Sequence, residues 1–243
     1  MKHLVVGYLG EVGQCIYKFL AGEDIRGIDI NIYETIKEKC SYMHVCIPYS
    51  ETFVCHIKKY IRIYKPKYVI VYSTVLPGTC RALGKNVVHS PIEGQHPDLL
   101  GCFKTFTRLI AGNKSKKVAI FFDKKGLSVE TFNKPEVTEL GKLLSTTRYG
   151  INIVFAKHQE ELCNKYKVPY QNAVLDYQYM YNKGYALRGK TRYIQPMLVP
   201  PGNIIGGHCV SPNAKLLEKI SNSNLIKELA NYGTGNSEAR KIS

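Results

Sequence analysis

Residues 3–13 read HLVVGYLGEVG and set the architecture expected of the whole chain. Residues 3–7 form a short β-type run that ends at Gly7, and Gly10 and Gly13 follow in a tight turn. Apolar side chains then recur at helical spacing between Cys15 and Leu20. The order is therefore a strand, a glycine turn and a helix.

This glycine turn predicts a dinucleotide site, because glycines let the backbone approach a pyrophosphate that the next helix N-terminus stabilises. Asp29 ends the following β-type run, where its carboxylate can accept both ribose hydroxyls of NAD and would repel the 2′-phosphate of NADP. A strict Gly-x-Gly-x-x-Gly motif would place glycine at Tyr8, whereas the first glycine here is Gly7. The cofactor-binding residues predicted from this region are Gly7, Gly10, Glu11, Val12, Gly13 and Asp29.

Further β-type runs alternate with helical segments in the first half of the chain. The runs are residues 25–30, 43–47, 68–72, 87–88 and 108–111, and the clearest helix between them is 51–64. Parallel strands need crossover connections, so this alternation predicts an α/β fold with an N-terminal Rossmann-type parallel sheet. We expect an NAD-binding domain over 1–112, a mainly helical domain over 113–232 and a flexible tail over 233–243.

The expected second domain is built around one long helix over 135–167, which starts favourably at Pro135. Shorter elements are expected around it, namely a helix over 117–125, a strand over 128–132, and helices over 170–182 and 213–220. The apolar residues of the long helix predict a buried stripe, and they are Val137, Leu140, Leu144, Ile151, Val154, Phe155 and Leu162.

The composition is that of an ordinary globular protein, with 44% hydrophobic residues in a chain of 243. No apolar run approaches the roughly 18 to 20 residues of a membrane span, and the N-terminus lacks the features of a signal peptide. The eight cysteines are scattered without a Cys-x-x-Cys pair, which is typical of reduced thiols and argues against disulfides and against a metal site. We therefore expect a soluble cytoplasmic protein without a membrane partner.

The net charge is strongly positive, with 34 Lys and Arg against 19 Asp and Glu, a formal charge of +15. This excess favours polyanionic partners, but no nucleic-acid motif accompanies it. The phosphates of a nucleotide sugar would balance this positive charge as well as those of DNA or RNA would. Nucleic-acid binding therefore remains the lesser alternative.

Several short motifs follow one another in the order of a known family. In the first half they are Val45-Cys46-Ile47-Pro48, Ser73-Thr74-Val75, Pro77-Gly78-Thr79, His89-Ser90-Pro91 with Glu93-Gly94, and Arg108-Leu109-Ile110-Ala111-Gly112. In the second half they are Thr138-Glu139-Leu140-Gly141-Lys142 and Gly206-Gly207-His208-Cys209-Val210-Ser211-Pro212. From residue 3 to about residue 217, the chain resembles the UDP-glucose/GDP-mannose dehydrogenase family. The resemblance adds Pro48, Ser73 and Thr74 to the expected NAD site and implies a homodimer through the helix over 135–167.

The resemblance also implies a reaction, the oxidation of a nucleotide-sugar primary alcohol to a uronic acid. Hydride passes to NAD, the thiol of Cys209 adds to the resulting aldehyde, a second hydride leaves to a second NAD, and water cleaves the thioester. Lys142 would stabilise the oxyanion at the substrate carbon. The residues themselves support the nucleophile, since Cys209 follows two glycines and precedes a predicted helix whose N-terminal dipole favours a thiolate.

Three polar positions depart from the family pattern. Its Asn four residues after the lysine is Thr146 here, and its Asp four residues after the cysteine is Asn213, whose amide cannot act as a base. Its catalytic Glu after Ser-Pro is Ile92, so that Glu93 would substitute only if the loop shifts. The candidate catalytic residues are thus Cys209, Lys142, Glu93, Asn213 and Thr146.

We expect a trimmed member of the family, because 243 residues leave no room for its usual third, C-terminal Rossmann-like domain. Together with the altered polar positions, this keeps a second interpretation open. The chain would then be a catalytically impaired remnant that binds NAD or a partner.

Overall fold

The computed structural model describes residues 1–29, 38–94, 97–200 and 209–232. The chain divides into two compact units, Met1–Lys142 and Leu143–Ser243, and each is described by itself. The tail over 233–243, predicted to be flexible, lies outside the described residues.

The described part of the first unit contains a seven-stranded sheet. Its strands are β1 His3–Val6, β2 Ile25–Ile28, β3 Tyr42–Val45, β4 Tyr68–Val71, β5 Val87–His89, β6 Arg108–Ala111 and β7 Val129–Phe132. Their spatial order is β2-β1-β3-β4-β5-β6-β7. The predicted α/β fold with an N-terminal Rossmann-type sheet is confirmed.

The sheet is not fully parallel. β1 to β5 are parallel to their neighbours, whereas His89 of β5 pairs with Ala111 of β6 in antiparallel orientation. β6 and β7 are again parallel to each other. β6 and β7 therefore run in the opposite direction to β1–β5, and Gly112, which follows β6, lies beside Val87 and Val88 of β5.

Helices cover both faces of the sheet. They are α1 Glu11–Phe19, α2 Phe53–Tyr64, α3 Thr79–Leu83, α4 Leu99–Thr105, α5 Ser115–Asp123 and the beginning of α6 Glu136–Tyr166. Ile16 of α1, Phe103 of α4 and Phe122 of α5 are fully buried in one hydrophobic cluster. Ile57 of α2 and Cys80 of α3 belong to a second cluster. Thus α1, α4 and α5 cover one face of the sheet, and α2 and α3 cover the other.

The helix expected over 117–125 and the strand expected over 128–132 are present as α5 and β7. Both belong to the sheet unit, because every residue of β7 pairs with a residue of β6. The first compact unit therefore continues to Lys142, beyond the domain boundary expected at residue 112.

The second unit is helical in its described residues. After α6 come a π-helical turn Gln171–Asp176, α7 Tyr177–Leu187, a 3-10 turn Thr191–Tyr193, α8 Val210–Glu218 and α9 Asn224–Asn231. A small core contains Val154, Val210, Ala214, Leu229 and Ala230. A Cβ atom at Gly150 would lie 2.4 Å from a methyl carbon of Val210, so glycine permits the close packing of α6 against α8.

The long helix is present, but the buried stripe predicted along it is wrong. Among the residues of this stripe, Val154 is buried. Five others are each at least 37% exposed, namely Val137, Leu140, Leu144, Phe155 and Leu162. The buried side chains of α6 include polar Thr138 and Glu139. Polar groups can be buried when hydrogen bonds from other elements satisfy them, and a hydrophobic pattern does not show those bonds.

Several helix limits also differ from the expected ones. The helix expected over 170–182 is divided into the π-helical turn and α7, and α7 extends to Leu187. The helix expected from residue 213 begins at Val210. α3, α4 and α9 carry no sequence-based expectation. No described helix has both the length and the apolar character needed to cross a membrane.

Candidate active site

The glycine turn lies between β1 and α1, as the sequence predicts. Gly7 has a φ of 84°, in the left-handed region that favours glycine. A Cβ atom at Gly13 would lie 1.9 Å from the carbonyl oxygen of Gly7, so the first turn of α1 packs directly on the turn. At Gly10 the nearest protein atom would be 3.5 Å away, which leaves room for a ligand to approach the backbone. The turn has the geometry of a phosphate cradle.

Asp29 is held against this turn. Its Oδ2 atom accepts a hydrogen bond from the backbone N–H of Leu9 at 3.0 Å. Gly27 of β2 makes room for the ring of Tyr8, since a Cβ atom there would lie 2.3 Å from Cγ of Tyr8. The space that Gly27 leaves for Tyr8 is a feature that the sequence analysis missed.

The turn opens on a crevice at the carboxyl edge of the sheet. α1 follows β1 on one face and α2 follows β3 on the other, which is the arrangement that forms ligand crevices in doubly wound sheets. Pro48 is exposed just after β3. The hydroxyl of Ser73 donates to the carbonyl oxygen of Ile47 at 2.5 Å and ties the β4 loop to the β3 loop. Ser73 and Thr74 are both half-buried at this edge.

The first turns of α6 dock on the same edge through Glu139. This carboxylate is fully buried and accepts hydrogen bonds from the backbone N–H groups of Gly78 at 2.7 Å and Cys80 at 2.8 Å. Burial raises the pKa of Glu139, although the two N–H donors act to lower it. The carboxylate thereby fixes the loop between β4 and α3 and satisfies the N-terminus of α3.

His89 makes a second connection between α6 and the sheet. Its Nδ1 atom lies 2.8 Å from the hydroxyl of Thr138, and its Nε2 atom lies 3.1 Å from the carbonyl oxygen of Ser73. Burial lowers the pKa of His89 from 6.5 to about 4, so the imidazole is neutral at physiological pH. This hydrogen-bonded imidazole therefore connects the loop after β4 to α6.

Lys142 makes the third connection. Its ammonium donates to the carbonyl oxygen of Ile92 at 2.7 Å and to Oε2 of Glu93 at 3.0 Å. The Lys142 side chain is 16% exposed and that of Glu93 is 35% exposed, so the pair lies at the rim of the site. The structure brings these two candidate catalytic residues together. Ile92, in the position of the family's Glu, is buried.

Arg108 holds the same loop from the other side. It is fully buried, and its Nη2 atom donates to the carbonyl oxygens of Pro91 and Ser90. Its guanidinium lies 4.5 Å from the ring centroid of Phe103. Burial lowers the pKa of Arg108 from its ordinary value. The sequence motif contains Arg108 but assigns it no role.

The remaining candidate residues follow Lys142 in the chain. Thr146 lies one turn beyond Lys142 in α6 and is half-buried. Cys209 is exposed and directly precedes α8, as predicted. The carbonyl oxygen of Cys209 accepts a hydrogen bond from the N–H of Asn213, whose side chain is buried.

The predicted residues of the loop before Cys209, Gly206, Gly207 and His208, lie outside the described residues. Cys209 belongs to the second unit and Lys142 to the first. That the Cys209 sulfur faces the Lys142 ammonium across a cleft stays a prediction.

No family model and no curated protein sequence matches the chain. Solved structures do match it. UDP-D-ManNAc dehydrogenase from Pyrococcus horikoshii is 19% identical with a TM-score of 0.74 over 96% of this chain and 68% of that one. The UDP-N-acetyl-mannosamine dehydrogenase of Staphylococcus aureus is also 19% identical, with a TM-score of 0.74 over 97% and 68%.

A second class of structures is similar over nearly the whole length of both chains. The 3-hydroxyisobutyrate dehydrogenase of Mycobacterium tuberculosis, solved with L-serine, is 13% identical with a TM-score of 0.71. The similarity covers 98% of this chain and 94% of that one. Identities this low establish a shared fold, which is that of nucleotide-sugar and hydroxyacid dehydrogenases.

Proposed function

We propose that this chain is an NAD-dependent dehydrogenase that oxidises a primary alcohol of a nucleotide sugar. The observation that carries the proposal is the glycine cradle of Gly7, Gly10 and Gly13, with Asp29 held beside it. These residues fit NAD, since the cradle leaves the backbone open to a pyrophosphate and the carboxylate can accept ribose hydroxyls. The similarity in fold to dehydrogenases of both classes supports the same conclusion.

Glu11 and Val12 begin the helix whose N-terminus would face the pyrophosphate of NAD, and Pro48, Ser73 and Thr74 would line the nicotinamide side of the crevice. When bound, NAD supplies the hydride acceptor. Hydride leaves the substrate carbon more easily when negative charge on its oxygen is stabilised, and we assign that task to the ammonium of Lys142. The carbonyl oxygen of Ile92 and the carboxylate of Glu93 orient this ammonium.

We assign the nucleophile to Cys209, at the N-terminus of α8. Its thiolate would add to the aldehyde carbon, and after the second hydride transfer the C–S bond of the thioester would break as water supplies the carboxyl oxygen. From alcohol to acid, the substrate gives up two hydrides and two protons and takes up one water. Glu93, Thr146 and Asn213 are the other polar groups we assign to this site, and Asn213 cannot serve as a base.

The amide at position 213 favours one alternative, a chain that binds NAD but turns over slowly or not at all. The Asn213 side chain is buried, so water does not readily replace a missing carboxylate there. In this alternative the chain would act as an NAD-binding or partner-binding remnant.

We also propose a homodimer through α6. Between Val137 and Leu162, six of its large hydrophobic side chains are at least 37% exposed. Exposed apolar side chains that share one long helix are typical of an association surface. We also propose that this enzyme is located in the cytoplasm.

The test of the proposed function is NADH formation over a panel of UDP- and GDP-sugars, followed by absorbance. We expect turnover with at least one sugar, a loss of at least about 100-fold in Lys142→Met, and no uronic acid from Cys209→Ser. Matched controls are Lys157→Met on the same helix and Cys55→Ser, the other exposed cysteine, and both should retain activity. NAD binding without turnover on any sugar would support the impaired alternative.

A further inference from the structure

We propose a second ligand site, at the opposite edge of the sheet from the glycine turn, which binds a phosphate group carried by a small molecule. The proposal does not depend on the dehydrogenase function. It follows from the direction of β6 and β7, from where the next helices lie, and from the charges around one cavity.

The reversal between β5 and β6 turns the chain back toward the start of β5. β6 and β7 are parallel to each other and antiparallel to β5, and Gly112, which follows β6, lies beside Val87 at the start of β5. Residues 112–114 lead from β6 into α5, and residues 133–135 lead from β7 into α6. Two helix N-termini therefore follow two neighbouring parallel strands.

The two helices leave this edge toward opposite faces of the sheet. α5 packs in the cluster of α1 and α4 through Val118 and Phe122. α6 begins beside α3, where Glu136 binds Arg81 and Glu139 binds the N–H of Cys80. Helices that diverge in this way open a crevice at the carboxyl ends of the two strands, which is where open α/β sheets bind ligands. The glycine turn occupies the equivalent position between β1 and β3.

A cavity of about 300 Å³ lies in this second crevice. Its size is at the lower end of the range for small-molecule sites. The polar residues that line it come from α3 and the turn after it, from the loops after β6 and β7, and from the start of α6. They are Arg81, Lys85, Asn113, Asn133, Lys134 and Glu136. None of these residues belongs to the site described above.

The charges around the cavity favour an anion. The cationic residues Arg81, Lys85 and Lys134 line the cavity together with one acidic residue, Glu136. The Nε and Nη2 atoms of Arg81 both donate to Oε1 of Glu136. In the described part of the chain, the ammonium groups of Lys85 and Lys134 make no hydrogen bond or ion pair. Lys85 and Lys134 are exposed, and the charge of Lys134 also lowers the pKa of Glu136. The side chains around the cavity therefore carry a net excess of two positive charges.

Two further sets of donors point to phosphate. The residues Asn113 and Asn133 follow the two strands and line the cavity, and the N-terminus of α5 adds partial positive charge. The first turn of α6 carries the carboxylate of Glu136, which already faces that helix terminus. A dianionic phosphate matches the net excess of two positive charges and can accept several hydrogen bonds at once.

The test is isothermal titration calorimetry of the full chain with orthophosphate, glucose 6-phosphate and glucose. We expect both phosphates to bind with a Kd on the order of 1 mM or tighter, and glucose not to bind. Lys85→Ala/Lys134→Ala should weaken phosphate binding at least tenfold. The matched control is Lys58→Ala/Lys59→Ala on α2, which removes the same charge and should change the Kd less than twofold. Saturating NAD should leave phosphate affinity unchanged.

Three results would overturn the proposal. The first is the absence of binding by either phosphate. The second is an equal loss of affinity in the two double variants, which would indicate attraction by net charge alone. The third is competition by NAD, which would place the phosphate at the glycine turn instead.

Discussion

The Nζ atom of Lys142 lies 3.0 Å from Oε2 of Glu93 and 2.7 Å from the carbonyl oxygen of Ile92. These contacts join α6 to the loop that follows β5, at the edge of the sheet where the glycine turn also lies. Glu93 therefore contacts the lysine from its observed position, and no shift of the loop is needed for this contact. The pair connects the helix of the proposed oxyanion group to the nucleotide-binding sheet.

Gly13→Ala should abolish NAD binding. The new methyl group would lie 1.9 Å from the carbonyl oxygen of Gly7, and the overpacking should cost about 1 to 3 kcal/mol of unfolding free energy. Calorimetric NAD titration and urea unfolding measure the two effects. Gly184→Ala in α7 is the control, because its Cβ atom would meet nothing within 4 Å and should leave the NAD affinity unchanged. Unaltered NAD affinity in Gly13→Ala would count against the cradle.

Asp29→Asn should weaken NAD binding about tenfold, because a charged acceptor for the ribose hydroxyls is lost, a loss of about 1.4 kcal/mol. NADP affinity should fall less or rise, since the carboxylate no longer repels the 2′-phosphate. The ratio of the two dissociation constants reports this change. An unchanged ratio would show that Asp29 does not face the ribose.

Stability should fall as the pH is lowered from about 6.5 to 4, because His89 must stay neutral in the folded chain. Its pKa is 6.5 when unfolded and about 4 when folded, so in this window the unfolded chain takes up a proton that the folded chain does not. The loss is about 1.4 kcal/mol per pH unit for this group. Above pH 6.5 its stabilising contribution is complete.

His89→Gln should reduce the pH dependence by about one proton, while His3, whose pKa burial lowers to about 4, continues to contribute. Urea unfolding at pH 7, 6 and 5 gives the slopes for the two proteins. Equal slopes would mean that folding does not change the pKa of His89, which would contradict this prediction.

The local parts of this fold could be predicted from the sequence, since strand, turn and helix around Gly7 to Gly13 each carry their own residue preferences. Cys209 at a helix N-terminus could be predicted for the same reason. The packing of α6 against the sheet could not be predicted, because it depends on buried polar pairs such as His89 with Thr138. Hydrophobic periodicity gave the length of α6 but not its buried face, which polar Glu139 shares.

The reversal of strand direction at β6 also escapes a pattern-based prediction. A β-type run is the same whether its neighbour is parallel or antiparallel, and β5 and β6 pair only through His89 and Ala111. Arg108 has a signal in the sequence, as part of a recognised motif. Its role in holding the loop at Pro91 becomes visible only when β6 lies beside that loop.

Phe155→Glu/Leu162→Glu should convert a dimer into a monomer, because it places charge on the exposed apolar side chains of α6. Light scattering should give twice the mass of the 27.5 kDa chain for the unmodified protein and 27.5 kDa for the variant. Lys165→Glu on the same helix is a control that should remain dimeric. A 27.5 kDa species for the unmodified protein at all concentrations would rule out this interface.

Mass spectrometry of the chain after incubation with NAD and each nucleotide sugar tests the proposed chemistry most directly. We predict a covalent substrate-derived adduct on the peptide that contains Cys209, present in the unmodified chain and in Cys55→Ser and absent from Cys209→Ser. An adduct that persists in Cys209→Ser, or none on a chain that binds NAD and turns over a sugar, would contradict the assignment of Cys209 as the nucleophile.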